Sequence, residues 1–588
     1  MRLVMPALLA LLPLPALAQT PPPQDQGIVV RGEALEHMSD WRVAETDHVI
    51  VYSAGPVAEL TRIAHNLERL HFLLSILLNR IGKPDDALKL RVTLIGDVAE
   101  FDAMDLRNIR SQQGPFVENF EFQRYYDPRE DGAVMASGSR DATVALVRSP
   151  AIDLNALGVV ADPLTGQNMP SLFGSGGGMD GFTPEIKTGG ITVRISAESR
   201  IYAGFAQHFL LTYFPAAYPR WYLDGIGELF STIHVRPDGA LEYGQMPEGF
   251  RKAMEWHSSI PVADVVTGRY LDMPVSKTHW NPFHAWVLTH YLFFSDARRA
   301  QLSRYLASIG RGATMAQAAT VFGDLTKLQR EVAAYDNHRI SWVRMTYPPQ
   351  YAPDPVVEQL TRGRAEFLKG RIELGSRVET LPPPPAAVDA ATAQRIAKAR
   401  EQAREAHDKW LARLREHAAQ FAYNLEAQLL LAEAECRSGN NDRCLTAAEG
   451  ALQIGPNDSR ALAWKGIALA QRAIAGPAPD RTAKLAEARA FLVRANHADT
   501  EGSLPLLGYY RSFADAGEAA PDLAVEGLLK AVQNVPAAPG PRLLLGQELA
   551  REGHPDAARV TLMPVTNGGY DSPEKVKAEA VAAGLPGD

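Results

Sequence analysis

The feature that most constrains this chain is a helix-pair pattern at residues 425–457, LEAQLLLAEAECRSGNNDRCLTAAEGALQIGPN. Numbered from Leu425, small side chains fall at positions 8, 20 and 27 (Ala432, Cys444 and Ala451), and Pro456 falls at position 32. Small residues at this spacing let two antiparallel helices approach closely, and a proline ends the second helix. The pattern therefore predicts two tightly packed helices in this part of the chain.

Looser copies of the pattern follow it. They contain Gly466, Ala488 and Ala495; then Gly508, Ala524, Ala531 and Pro536; then Gly546 and Ala558. Together the units resemble a tetratricopeptide array over roughly residues 388–570, and we expect an all-α tetratricopeptide-like solenoid over 388–588. A plain helical bundle is the alternative, because alanine-rich helix pairs can imitate the pattern. The resemblance implies a peptide or protein ligand, since such arrays present a concave surface that suits an extended segment or a helix.

The first residues have the pattern of a secretory signal. Arg2 supplies a positive charge, the run LVMPALLALLPLPALA is apolar, and Ala16-Leu17-Ala18 offers a small-x-small cleavage site. We expect a signal peptide over 1–18, a proline-rich tether over 19–40, and export of the protein, to the periplasm rather than by full secretion. Because no later stretch is long and apolar enough to cross a membrane, we expect no transmembrane segment.

Charge and cysteine content exclude several classes of function. Sixty Lys and Arg against 68 Asp and Glu give a formal charge of −8, which argues against a nucleic-acid partner. The two cysteines, Cys436 and Cys444, are too few for a Cys-based zinc finger or an iron–sulfur site. Near the turn of one helix pair they could form a disulfide in an oxidising compartment, although Cys444 also suits the repeat as an unbridged small residue.

The region before the repeats predicts a second domain, over 41–347. The pattern over 41–200 predicts an α/β subdomain, with strands at 48–53, 90–95 and 142–147 and an amphipathic helix at 57–80. The second part of this domain, 200–347, is mainly helical and rich in aromatic residues. A proline-rich connector follows over 348–387, with Pro382–Pro385 in a row. Such connectors are exposed and carry few contacts, so we expect two lobes that fold separately.

Residues 201–233, IYAGFAQHFLLTYFPAAYPRWYLDGIGELFSTI, resemble the core of the gluzincin metallopeptidases, particularly the peptidase MA-like group. The phrase PRWYLDGIGELF at 219–230 is similar to the entry of the helix that carries the third zinc ligand in that family. FHAWVLTHYL at 283–292 is similar to a later helix of the group. The resemblance covers roughly 41–347 and implies an α+β gluzincin-like lobe that is mostly helical around its core.

The metal-binding motif of that family, HExxH, is degenerate here. Alignment places its five positions at Ala203, Gly204, Phe205, Ala206 and Gln207, and the third ligand position at Asp224. HExxH functions because residues i and i+4 share one helical face and bind one zinc ion, while the Glu activates its water. Here only Asp224 keeps a metal-binding group. We therefore expect no zinc, no other cofactor and no catalytic residue.

An active peptidase with an unorthodox site is the alternative. It would use His208, Asp224, Glu228 and His290. His208 is one residue out of register, which turns it about 100° away from the metal face of the helix. Isolated histidines are more often hydrogen-bonded core or surface residues. The leading hypothesis is therefore an exported pseudo-metallopeptidase with tetratricopeptide repeats that binds a protein or peptide, as a scaffold or adaptor in the cell envelope.

Overall fold

The computed structural model describes residues 37–83, 86–104, 106, 124–146, 191–256, 259–273, 281–336, 340, 342–346, 354–378, 389–569 and 572–586. The expected signal peptide (1–18), most of the expected tether (19–40) and Pro382–Pro385 lie outside the described residues. None of the helices described is both long and apolar enough to cross a membrane.

A six-stranded mixed sheet forms one layer of the N-terminal domain. In spatial order its strands are β11 (Val356–Thr361), β1 (Met38–Glu45), β2 (Val49–Ser53), β3 (Leu90–Ile95), β5 (Val134–Gly138) and β4 (Arg124–Asp127). The three central strands β2, β3 and β5 run parallel, and the other strands extend the sheet by antiparallel pairing. Parallel neighbours need a crossover connection, and helix α1 (Val57–Leu77) lies between β2 and β3 in the chain.

Helix α1 forms because its apolar residues recur at three- and four-residue spacing and give one buried face. That face contains Leu60, Ile63, Leu67, Leu70 and Leu74. It belongs to the large core shared with Val51 and Val92 of the sheet and with Phe205 and Phe209 of the helical layer. The sequence predicts this helix and the two neighbouring strands to within a few residues.

The helical layer is built on α3 (Ala197–Tyr213) and α4 (Arg220–Phe230), which pack on each other, and on α7 (Asn281–Phe294), which packs on α4. The other described helices of this domain are α2 (Val98–Ala103), α5 (Phe250–Trp256), α6 (Val262–Thr267), α8 (Asp296–Ile309), α9 (Met315–Ala319) and α10 (Leu325–Asp336). β6 (Ala142–Leu146) pairs antiparallel with β7 (Ile191–Ile195), and a small sheet contains β8 (His234–Val235), β9 (Leu241–Tyr243) and β10 (Val343–Met345). The domain thus combines a mixed sheet with helices.

The structure differs from the expected connector over 348–387 in its central part. β11 pairs with β1, from Thr361 opposite Met38 to Val356 opposite Glu45. Helices α11 (Arg362–Glu366) and α12 (Leu368–Val378) follow it. The physical reason is that β1 would otherwise be an exposed sheet edge, and the β-branched segment after residue 355 covers it. Local composition cannot reveal a strand partner more than 300 residues away along the chain.

The C-terminal region is all-helical. Its helices are α13 (Ala390–Gln420), α14 (Leu425–Arg437), α15 (Asn441–Ile454), α16 (Ser459–Ala475), α17 (Arg481–Ala498), α18 (Ser503–Ala514), α19 (Asp522–Asn534), α20 (Pro539–Arg551), α21 (Pro555–Thr566) and α22 (Pro573–Ala583). The small residues that the repeat pattern singles out, among them Ala432, Ala451 and Ala488, are fully buried. A Cβ added at Gly466 would lie 2.7 Å from Leu492 Cγ, so close helix approach depends on glycine there. This region is consistent with a tetratricopeptide-like solenoid.

Two helices of the repeats, α14 and α18, contact residues that precede the repeats. Arg511 on α18 forms an ion pair with Glu130 at 2.5 Å, and Ser503 donates to the Glu130 carbonyl oxygen. Arg371 of α12 binds both Asp131 and Glu433 of α14, the latter at 3.5 Å. Burial alone would raise the pKa of Asp131, but the charges of Arg371 and Arg91 outweigh it and hold that pKa far below its usual value. The two parts of the chain therefore share an ionic interface, unlike the separate lobes that the sequence suggests.

Candidate functional site

The helix pair α3–α4 carries the positions that the sequence resemblance aligns with a gluzincin zinc site, and its close packing depends on glycines. A Cβ at Gly225 would lie 2.0 Å from Thr289 Oγ1 and 2.7 Å from the Ala285 carbonyl oxygen of α7. A Cβ at Gly227 would lie 3.0 Å from Gln207 Nε2. The glycines of the phrase DGIG thus let α4 pack between α3 and α7.

Side chains of the sheet pack against Gly204, the position that the sequence resemblance aligns with the catalytic glutamate. A Cβ added at Gly204 would lie 2.6 Å from Met135 Sδ and 3.0 Å from Arg124 Cδ. Ala203, at the first ligand position, is buried and has only a methyl group. A carboxylate side chain at position 204 does not fit this arrangement unless its neighbours move.

Gln207, at the second ligand position, is held by two hydrogen bonds. Its Nε2 donates to the Leu223 carbonyl oxygen at 3.0 Å, and its Oε1 accepts from Arg124 Nη2 at 3.2 Å. The amide therefore bridges α3, α4 and strand β4. This is a structural role, since a buried amide is stable only with such partners.

Asp224, at the third ligand position, is paired with an arginine of its own helix. Arg220 Nε donates to the two carboxylate oxygens at 2.8 and 3.0 Å, and both side chains are buried. The pair neutralises the carboxylate that the sequence marks as the remaining metal-binding group. A metal ion at Asp224 would have to compete with this cation.

The alternative candidates have separate surroundings. His208 Nδ1 lies 2.9 Å from the Tyr126 hydroxyl and 3.3 Å from Thr212 Oγ1. His290 is fully buried, with Nε2 2.9 Å from the Gly244 carbonyl oxygen and Nδ1 2.8 Å from the Tyr335 hydroxyl. Burial lowers the pKa of His290 to about 4. Within the described residues, His208, Asp224, Glu228 and His290 do not form a cluster with ligand atoms close enough to share a metal ion.

The structure brings together a cluster that the sequence does not single out: His48, Glu68 and His71, whose ligand atoms lie within 4.8 Å of one another. Glu68 Oε2 is 2.6 Å from His48 Nδ1. Burial alone would raise the pKa of Glu68, but the hydrogen bond and charge of His48 outweigh it and lower that pKa. Glu68 and His71 lie three residues apart on α1, but only the fold places His48 beside them.

This cluster is arranged for hydrogen bonding and stacking. The rings of His48 and His71 lie 3.5 Å apart at 17°. Because imidazole lone pairs lie in the ring plane, two nearly parallel rings direct them side by side and not toward a common point. The residues could bind a metal ion only after one ring turns.

Cys436 and Cys444 are joined by a disulfide, with their Cα atoms 5.0 Å apart. They connect the end of α14 to the start of α15, beside Trp464 of the next pair. The bond therefore lies inside the first repeat and not in the N-terminal domain.

A cleft lies between the helix pair α3–α4 and the last repeats. We call it the interdomain cleft, and its walls include Arg124, Gln207, Leu223, Pro536, Arg542 and Val565. A Cβ at Gly569 would lie 2.9 Å from the Tyr218 carbonyl oxygen, so the repeats approach α4 closely at one side. The space between the atoms, counting the open mouth, is about 880 Å³. More than 300 residues separate its two walls in sequence, and no local signal predicts it.

Comparisons with known proteins find only weak similarity. No protein-family model and no curated protein matches the chain. Among solved structures, the crystal structure of a thermophilic TPR protein from Thermus thermophilus is similar, with a TM-score of 0.28 and 18% sequence identity. The match covers 32% of this chain and 95% of that chain. So low a TM-score does not establish a shared fold. The comparisons show no relationship to gluzincin metallopeptidases.

Proposed function

We propose that this chain is an exported scaffold or adaptor of the cell envelope, which binds a peptide or protein and does not cut it. The observation that carries the proposal is the interdomain cleft, which opens between the helix repeats and the helix pair α3–α4. A cleft between two domains is a usual place for a ligand. The cleft lies between the helix pair that resembles part of a peptidase and the repeats that resemble a protein-binding array.

The repeats support binding through their architecture. Stacked helix pairs present long surfaces to extended ligands. Here part of the face formed by the first helices is occupied by the chain itself, because Glu130 contacts α18 and Asp131 contacts α12, which packs on α14. The interdomain cleft lies beyond those contacts, against the last repeats. We therefore place the ligand at the cleft and on the repeat surface next to it.

The loss of hydrolysis is supported by the chemistry of the helix pair. Zinc prefers thiolate, imidazole and carboxylate ligands. The corresponding positions provide a methyl group at Ala203, a hydrogen-bonded amide at Gln207 and a carboxylate paired with Arg220. Position 204 offers no general base for a bound water. In this proposal the gluzincin-like outline is a pseudo-enzyme and needs no cofactor.

Export is the second part of the proposal. The apolar N-terminal run with its small-x-small site supports a signal peptide. The Cys436–Cys444 bond suits an oxidising compartment such as the periplasm. Detection of the mature chain in a periplasmic fraction, with its N-terminus at Gln19, is the expected result.

The binding proposal is tested by affinity selection from a random peptide library on the purified full chain, with mass spectrometry of bound and of cleaved peptides. We expect enrichment of peptides that share a motif, and no cleavage. Ala537→Trp, which narrows the cleft, should abolish the enrichment, whereas the matched variant Ala514→Trp on an exposed position of α18 should not. Absence of enrichment, or cleavage that a chelator stops, would contradict the proposal.

A further inference from the structure

Arg542 is a buried cation without a carboxylate partner among the described residues. Its side chain lines the interdomain cleft and only 9% of the residue is exposed. It donates one hydrogen bond, from Nε to the Pro536 carbonyl oxygen at 2.8 Å. A guanidinium has five N–H donors, so most of its hydrogen-bonding capacity is not used by the described protein groups.

The environment of Arg542 disfavours its charge. Burial lowers the pKa of Arg542 to about 10. Three other buried arginines among the described residues have carboxylate partners: Arg129 pairs with Asp127, Arg220 with Asp224 and Arg298 with Glu331. Because a buried charge is expensive unless it is paired, an unpaired one beside a cleft points to an anion that binds there.

The opposite wall of the cleft adds positive charge. Arg124 lines it and is fixed in place, with Nη1 donating to the Arg200 carbonyl oxygen at 3.2 Å and Nη2 to Gln207. Burial, together with the nearby charge of Arg124, lowers the pKa of Arg200 to about 10, although Asp141 acts against it. None of the described residues that line the cleft is acidic. The described lining thus contains two arginines and no carboxylate, a composition that suits an anionic ligand.

Apart from Gln207, Ser572 and two tyrosines, the rest of the described lining is apolar, and it includes several prolines. Pro215, Pro539, Pro564 and Val565 contribute to it, as does Leu211. Prolines fix their own backbone angle, so the walls lose little freedom when a ligand binds. Because the volume includes an open mouth, the enclosed part suits a short hydrocarbon chain or one amino-acid side chain.

We propose that the interdomain cleft binds a carboxylate attached to an apolar group, with Arg542 as its principal anchor. Two sources provide this chemistry: a free aliphatic acid, and the C-terminal residue of a peptide. The second source rests on the proposed function, whereas the first does not. Arginine is suited to this task because its planar fork pairs with both oxygens of a carboxylate.

The test is isothermal titration of the full chain with decanoate, decylamine, and the tripeptide acetyl-Ala-Ala-Leu as free acid and as amide. We expect decanoate to bind and decylamine not to bind. Arg542→Gln should weaken decanoate binding about tenfold or more, and Arg542→Lys should retain part of the affinity. Arg443→Gln, at an exposed position of α15, is the matched control and should change nothing. Thermal unfolding of each variant establishes that it is folded.

The outcomes separate the two proposals. Binding of the free-acid peptide but not of its amide supports both. Binding of decanoate alone supports the carboxylate site and counts against peptide binding at the cleft. Equal binding of peptide acid and amide overturns the carboxylate site and leaves peptide binding intact. Equal affinity for decanoate and decylamine, unchanged decanoate affinity in a folded Arg542→Gln variant, or no binding of either carboxylate in the millimolar range also overturns it.

Discussion

Two buried arginines near the interdomain cleft differ in whether they have a carboxylate partner. Arg220 forms an ion pair with Asp224 four residues later on its own helix, so the charge that the peptidase-like motif retains is already neutralised. Arg542, in the last repeats, meets no carboxylate among the described residues. A residue that the motif singles out, Asp224, is thus already paired within the chain, whereas Arg542, which no motif marks, keeps free donors beside the cleft.

The largest expected loss of stability comes from breaking the Arg220–Asp224 ion pair. Arg220→Gln leaves the Asp224 carboxylate buried without its partner, and loss of one member of a buried pair typically costs about 3–5 kcal/mol. Arg542→Gln removes an unpaired buried cation and one hydrogen bond, so we expect a change within about 1 kcal/mol. Urea unfolding of both variants measures the difference. Equal destabilisation would show that Arg542 has a structural role like that of Arg220.

His290 extends the comparison to a buried group that stays neutral. Its pKa of about 4 lies below the ordinary value of 6.5. Between these values the unfolded chain binds the proton and the folded chain does not, so stability should fall as the pH falls from about 6.5 to about 4. The pKa difference corresponds to roughly 3 kcal/mol. His290→Asn should remove this dependence, whereas His497→Asn, at an exposed position of α17, should keep it. An unchanged profile in His290→Asn would rule out this assignment.

Loss of the disulfide should cause the next smaller decrease in the free energy of unfolding. Cys436 and Cys444 are eight residues apart, and closing so short a loop contributes about 2–3 kcal/mol in the chain-entropy account. Cys436→Ser combined with Cys444→Ser, or reduction, should lower the urea midpoint accordingly. A thiol count on the unfolded, unreduced protein should find no free thiol. Two free thiols would exclude the bond.

The smallest effect concerns the interface between the domains. Replacing Pro382–Pro385 with a protease recognition site and cutting it should not separate the two parts, because the ion pairs Glu130–Arg511 and Arg371–Glu433 connect them. We expect the cut chain to elute as one species in size-exclusion chromatography. Glu130→Ala should weaken the association. Two separate, folded pieces would instead support the independent lobes that the sequence suggests.

The sequence predicts those elements whose signal is local. Helix α1 follows from the spacing of Leu60, Leu67 and Leu74, and the close approach of α14 and α15 follows from Ala432 and Ala451. Strand β11 could not be predicted in the same way, because its partner β1 lies about 320 residues earlier. Its surroundings are rich in proline, so composition alone favours a linker.

The candidate sites also combine residues that the sequence locates with contacts that only the fold creates. The alignment locates Gln207 and Asp224, but it does not show that Leu223 and Arg220 already satisfy them. The cluster around Glu68 needs the packing of β2 against α1 before His48 can reach it. Arg542 follows no motif at all, and its significance comes from the absence of an acidic neighbour among the described residues around it. Charge balance in three dimensions is not visible in one-dimensional spacing.

Zinc titration of the chelator-treated full chain, beside the Asp224→Ala variant, tests whether the helix pair α3–α4 binds a catalytic metal. We expect the same zinc binding for both proteins and no peptide hydrolysis by either, because Arg220 already neutralises Asp224 and position 204 has no base. One equivalent of tightly bound zinc in the natural chain, lost in Asp224→Ala together with peptide hydrolysis, would contradict this expectation.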